Sequence, residues 1–181
     1  MKDKSIILIS CGHFDNSLMD KIATDLRLFF GFPIDVRECS MDISSFYDPA
    51  RRQYDANHIL KKVAELSDPL ALKTMGLLRV DLYIPILTYI FGQSVLNGKT
   101  SIASMYRLRN ELYGLDPDTR LLEERFRKVI VHEMGHAFGL IHCLNPTCIM
   151  RSGTYVEDLD LKELSFCNKC RDELDQNIKQ Y

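Results

Sequence analysis

An α/β (α+β) fold is predicted by three features of the sequence. Apolar, strand-like runs alternate with amphipathic, helix-like segments over residues 5–86. A long capped helical pattern follows at 117–138, and an irregular, cysteine-bearing tail comes after it. The β-α-β-α-β order favours a twisted, mixed but mostly parallel sheet with right-handed crossovers. At 181 residues the chain is expected to be a single domain with a real core. Within it, residues 1–139 would form an α/β part and 140–181 a small C-terminal part.

Composition narrows the function. The chain is 46% hydrophobic and 27% charged, with nine glycines and no tryptophan, which excludes global disorder. A formal charge of −2 offers no basic field for nucleic acid. Residues 5–9 are too few for a secretory apolar region, and Arg79 and Asp81 interrupt the longest apolar stretch, 77–91. The expectation is a cytoplasmic monomer with neither membrane nor nucleic-acid partners. Thiols stay reduced in such a compartment, so clustered cysteines point to metal before disulfides.

The elements follow in order. Residues 5–9 form a β-branched apolar run typical of a strand covered on both faces. Residues 16–30 place Leu18, Ile22, Leu26 and Phe29 on one helical face, with Gly31 as the stop. Residues 33–38 alternate as a second strand. Residues 47–66 read as a helix ended by Ser67-Asp68-Pro69, and 77–86 as a third strand. The runs 89–91 and 101–104 flank Asn97-Gly98, a turn signal, and suggest a hairpin at the sheet edge. Asp116 is the expected cap and Pro117 the first residue of the long helix; Leu122, Phe126, Val129 and Ile130 form its apolar stripe. Gly139 should end it, because glycine adopts a left-handed cap at least cost. A final charged helix is expected over 158–176, interrupted by Cys167 and Cys170. Cys11 and Cys39 read as buried small hydrophobes. His13, at the end of the first strand, has no visible partner and is most simply structural.

The chemistry lies at 132–142, His-Glu-Met-Gly-His-Ala-Phe-Gly-Leu-Ile-His. His132 and His136 are one helical turn apart on one face and can share an ion. Glu133 is about 100° around the helix, placed to take a proton from zinc-activated water. Gly139 turns the chain back and brings in His142. Three protein ligands and one open position are the arrangement of a catalytic zinc. Cys143-x4-Cys148 and Cys167-x2-Cys170 have the spacing of a closed four-thiolate zinc site, which supplies folding energy to an irregular segment. Two Zn2+ per chain are therefore expected, one catalytic and one structural. Cys143 follows His142 directly, so the second metal would also fix the third ligand.

These residues resemble the metzincin clan of zinc peptidases, whose signature is H-E-x-x-H-x-x-G-x-x-H followed by a methionine turn. The further Cys-x4-Cys-x-Met and distal Cys-x-x-Cys are similar to the archaemetzincin family. The resemblance covers residues 132–170; sixteen residues separate Met150 from Cys167, one fewer than the family pattern. It implies a metzincin-like zincin fold, with His132, His136 and His142 on the catalytic zinc and Glu133 as general base. Met150 would be the apolar floor of the methionine turn, and Cys143, Cys148, Cys167 and Cys170 the structural ligands. The implied activity is hydrolysis of peptide or protein substrates, with aminopeptidase-like action open. Substrate would extend along an edge strand in the 89–104 region. Tyr155 is either a packing or surface tyrosine or an oxyanion donor. The rival readings are a zinc hydrolase of non-peptide amides and a non-catalytic zinc-stabilised binding module, against which the presence of Glu133 argues.

Overall fold

Residues 4–181 are described by a computed structural model. The first apolar run becomes β1 (Ile6–Ser10), buried along its whole length at the heart of the main sheet. Helix α1 (Asn16–Phe30) buries Leu18, Ile22 and Leu26 and ends where Gly31, at φ 78°, bonds back to the Arg27 carbonyl. Strand β2 (Ile34–Glu38) pairs in parallel with β1 and forms one edge of the sheet.

The expected helix over 47–66 starts later. Residues 47–55 form a small hairpin of β3 (Tyr47–Asp48) and β4 (Gln53–Asp55), with the Tyr47 and Tyr54 rings 5.0 Å apart. Helix α2 (Ala56–Leu66) begins at Asp55, whose carboxylate accepts the Asn57 amide at 2.9 Å. That cap, with non-helical backbone before it, sets the boundary.

The third strand is also displaced. Strand β5 (Lys73–Leu78) is completely buried, and the expected run over 77–86 breaks at 79–81 before β6 (Leu82–Ile84) joins β4 in a second sheet. Asp81 is held at that break by two bonds from the Arg107 guanidinium, 2.8 and 2.5 Å. A lysine at the head of β5 hid the strand from pattern reading. Lys73 is only 2% exposed. Its ammonium bonds the carbonyls of Gly98 and Ala137 and the Tyr181 hydroxyl, each at 2.8 Å, and so satisfies the buried charge.

Strands β7 (Leu87–Ile90), β8 (Gly92–Ser94) and β9 (Thr100–Ser104) complete two sheets. The five-stranded sheet runs β2-β1-β5-β9-β8, parallel except for β8, and the four-stranded one β3-β4-β6-β7. The hairpin at Asn97-Gly98 exists as β8–β9, but Tyr89 and Ile90 belong to the other sheet. The edge is β8, since β9 lies between β5 and β8.

Helix α3 (Thr119–Ala137) is capped by Asp118, not Asp116; its carboxylate accepts the Leu121 amide at 2.9 Å. α1 and α3 cover one sheet face, where Phe14 stacks on Phe126 and Phe30 on Phe138. α2 covers the other with Ile59 and Val63 against Ile7, Ile9 and Ile102. The expected final helix is two helices, α4 (Val156–Asp160) and α5 (Asn168–Ile178), because the cysteine-bearing turn separates them. Buried Arg125 on α3 grips Asp160 at 2.7 and 2.6 Å, and Lys128 bonds the Leu159 carbonyl, locking α4 to α3. Cys11 and Cys39 are half-buried beside an open hollow instead of lying in the core. Among the described residues no helix is long and apolar enough to cross a membrane.

Candidate active site and metal centres

The last turns of α3 present His132, Glu133 and His136, and the chain reverses immediately after. Phe138 caps the helix, Gly139 takes φ 93°, and the Leu140 amide bonds the Gly135 carbonyl. The reversal brings His142 back, with ring centroids 5.4 Å from His132 and 4.9 Å from His136. One ring nitrogen from each of the three lies within 4.8 Å of the others.

Hydrogen bonding fixes two of these rings. His132 Nδ1 lies 2.8 Å from the Ile149 carbonyl and His136 Nδ1 2.7 Å from the Leu140 carbonyl. A carbonyl only accepts, so both Nδ1 atoms carry hydrogen and both Nε2 atoms expose lone pairs. These Nε2 atoms face each other at 3.1 Å. Burial drives His132 well below the ordinary histidine range and also lowers His136 and His142, which keeps the rings neutral. Two facing acceptors call for a shared cation. A tetrahedral zinc at ordinary Zn–N distances separates its nitrogens by ~3.3 Å, so the histidines fit one.

Glu133 is buried beside them. The Ser94 hydroxyl of β8 lies 2.7 Å from its Oε2 and 2.7 Å from its backbone carbonyl. Burial pushes the Glu133 carboxyl up to about 7, while the Ser94 bond and the Lys162 ammonium pull it down. That range suits a group that accepts and returns a proton near neutrality. Gly92 permits this approach of β8: a Cβ there would meet Glu133 Cγ at 2.7 Å.

Beneath the histidines, Met150 is fully buried, and a Cβ on Gly135 would lie 2.5 Å from its Sδ. The Cys143 amide bonds the Met150 carbonyl at 2.9 Å, tying the His142 segment to this floor. On the far side, the sulfurs of Cys143, Cys148, Cys167 and Cys170 converge within 4.8 Å, with Cys143 and Cys167 Sγ 3.7 Å apart. That is much longer than a disulfide and close to the ~3.8 Å sulfur spacing around tetrahedral zinc. The Asn145 and Cys167 amides donate to Cys143 and Cys148 sulfurs, each at 3.4 Å. The backbone amide of Cys170 draws the Cys167 thiol down to about 7, toward the thiolate that a metal binds.

A cleft of about 490 Å³ opens onto the histidines between β8 and the 152–162 segment. Tyr155 lines it and is 64% exposed; Lys162 lines the same wall. His132, Glu133, His136, His142 and Tyr155 line this cleft and the four cysteines form their own cluster, whereas Cys11 and His13 line the separate hollow. Sequence reasoning missed Ser94, Gly92, Gly135 and Lys162. Only Gly135 left a signal, since a glycine inside a helix is disfavoured unless something packs close.

The model of peptidase family M54 matches residues 25–176. The archaemetzincin of Pyrococcus furiosus is 36% identical over 179 residues, 96% of this chain and 93% of that one. The crystal structure of archaemetzincin from Methanopyrus kandleri superposes with TM-score 0.86 at 28% identity, covering 98% of this chain and 96% of that one. A zinc-dependent peptidase from Methanocorpusculum labreanum superposes with TM-score 0.83 at 30% identity, covering 94% and 100%. The chain belongs to peptidase family M54, the archaemetzincins, and is a zinc-dependent metallopeptidase.

Proposed function

We propose that the chain hydrolyses peptide bonds with Glu133 as general base at a zinc held by His132, His136 and His142. A second, structural zinc would be held by Cys143, Cys148, Cys167 and Cys170. The observation that carries the reading is the pair of facing, unprotonated Nε2 atoms beside a buried carboxylate. Zinc bound there would polarise the scissile carbonyl and lower the pKa of water toward about 7.

The chain's own groups do the rest. Glu133 accepts the proton of the attacking water and returns it to the leaving amine, while Ser94 holds its carboxylate in place. Bonds link Ser104 N to the Phe91 carbonyl and Val95 N to the Thr100 carbonyl, so residues 91, 93 and 95 face β9. By the alternation of antiparallel pairing, Gly92 and Ser94 turn their backbone groups outward, ready to pair an extended substrate. Tyr155, which lines the same cleft, is the residue we assign to donate to the developing oxyanion. Among the described residues Glu133 is the only carboxylate lining the cleft, which offers no second carboxylate to anchor a free amino group.

The test compares wild type with Glu133→Gln on a mixed peptide library. Cleavage should fall by at least about a hundredfold, since general base catalysis contributes roughly 10²–10⁴. Equal cleavage by both proteins would refute the mechanism. Metal analysis should give two zinc per chain, and a content of one after full zinc loading would refute the two-site assignment.

A further inference from the structure

One charged group in the cleft has no task in the hydrolysis just described. Lys162 is 4% exposed, follows α4 and lines the cleft together with Gly92 and Gln93 of β8. Its ammonium makes no hydrogen bond or ion pair with any described residue. The only unbonded side-chain polar atom sealed from solvent among these residues is Gln93 Oε1, so the Lys162 Nζ keeps access to the cleft it lines. The two carboxylates in its surroundings are committed elsewhere. Glu133 is held by Ser94, and Asp158 accepts the amides of Thr154 and Tyr155 at 2.8 and 2.9 Å. Its remaining charged neighbours are the Cys148 sulfur, which belongs to the cysteine cluster, and Arg151, a cation that offers no compensation.

A lysine 4% exposed with no bonded partner is costly to hold, and an anionic ligand in the cleft that its Nζ reaches would supply one. The site is built to hold it. A Cβ at Gly153 would be tight against Asp158 Cβ at 3.0 Å and in ordinary contact with Nζ at 3.5 Å, so glycine lets the chain pack closely against Asp158 beside the lysine. The Arg125–Asp160 and Lys128–Leu159 bonds fix this wall against α3. Val129, one helical turn before His132, and Leu159 give the recess apolar sides. A peptide paired along β8 would run beside Glu133 in the cleft that Lys162 also lines, and the Lys162 charge acts on Glu133 and on all three histidines.

We propose that Lys162 is the floor of a specificity subsite that takes the carboxylate side chain of a glutamate or aspartate flanking the scissile bond. The inference rests on the peptidase reading above. The experiment uses C-terminally amidated fluorogenic peptides that differ only in Glu, Gln or Leu at each flanking position. At one position Glu should exceed Gln in kcat/KM by about tenfold or more, mostly through KM, as a buried charge-assisted pair provides. Lys162→Met should bring that ratio to about one, Lys162→Arg should retain it, and Lys162→Glu should turn the preference to Lys. The ratio is read within each variant, so a general loss of activity does not imitate the result.

Equal use of Glu and Gln by wild type would overturn the proposal. So would a uniform loss across all peptides in Lys162→Met, or an acidic preference seen only with a free C-terminus. Fluorescence polarisation on zinc-loaded Glu133→Gln separates the two readings. Tighter binding of the Glu peptide that Lys162→Met abolishes supports the subsite even if no peptide were cleaved, an outcome that would sink only the hydrolytic reading.

Discussion

Gly135 shows how single residues hold the site together. In a helix interior glycine is about 1 kcal/mol worse than alanine, so its place between His132 and His136 looks wasteful. Its neighbour explains it, because a Cβ would reach Met150 Sδ at 2.5 Å and Cε at 3.1 Å. Gly135→Ala should therefore destabilise the protein by about 1–2 kcal/mol, overpacking outweighing the propensity gain. Thermal melts should show a lower Tm, and dialysis against a weak chelator should remove zinc faster. A raised Tm with zinc retention unchanged would refute this account of the floor. Ser94 is the corresponding case for Glu133: its hydroxyl comes from a strand too short to show a pattern, so only the fold pairs the two.

At the scale of elements, α4 and the turn before it depend on one carboxylate. Asp158 accepts the Thr154 and Tyr155 amides, which hold it below the usual carboxylate range. Its folded pKa lies below its unfolded one. The stabilisation is therefore fully present above the ordinary aspartate range, about 4, and is lost as the pH falls from there through the lower folded pKa. Asp158→Ala should cost about 1 kcal/mol at neutral pH, the scale of a helix cap. Melting curves of variant and wild type should draw together as the pH falls below about 4; a gap unchanged from neutral pH to the acid limit of folding would show that the bond contributes nothing ionic. The strand beginning at Lys73 carries the same lesson about elements. A lysine heading a buried strand reads as surface, and only its bonds to the helix end and the C-terminal tyrosine explain it.

For the whole molecule, the proposed metal sites share a stretch of backbone. His142 and Cys143 are adjacent, and the Cys143 amide is pinned to the Met150 carbonyl under the histidines. Cys143→Ser should reduce zinc content by more than one equivalent under mild chelation and should lower activity with it. Loss of one zinc with activity unchanged would uncouple the sites.

The sequence by itself determined the ligand spacing at 132–142, the cysteine tetrad, the mainly parallel sheet and both glycine stops at 31 and 139. These are local signals: a helical period, a cap, a turn that requires positive φ. The tertiary structure decided the rest. It moved the third strand to 73–78, split the 47–66 and 158–176 segments, made β8 the free edge, and brought Ser94, Gly92 and Lys162 to the cleft. Each of those depends on contacts between residues far apart in the chain, where a buried lysine, a short edge strand or an unpartnered ammonium gains its meaning only from what lies across from it.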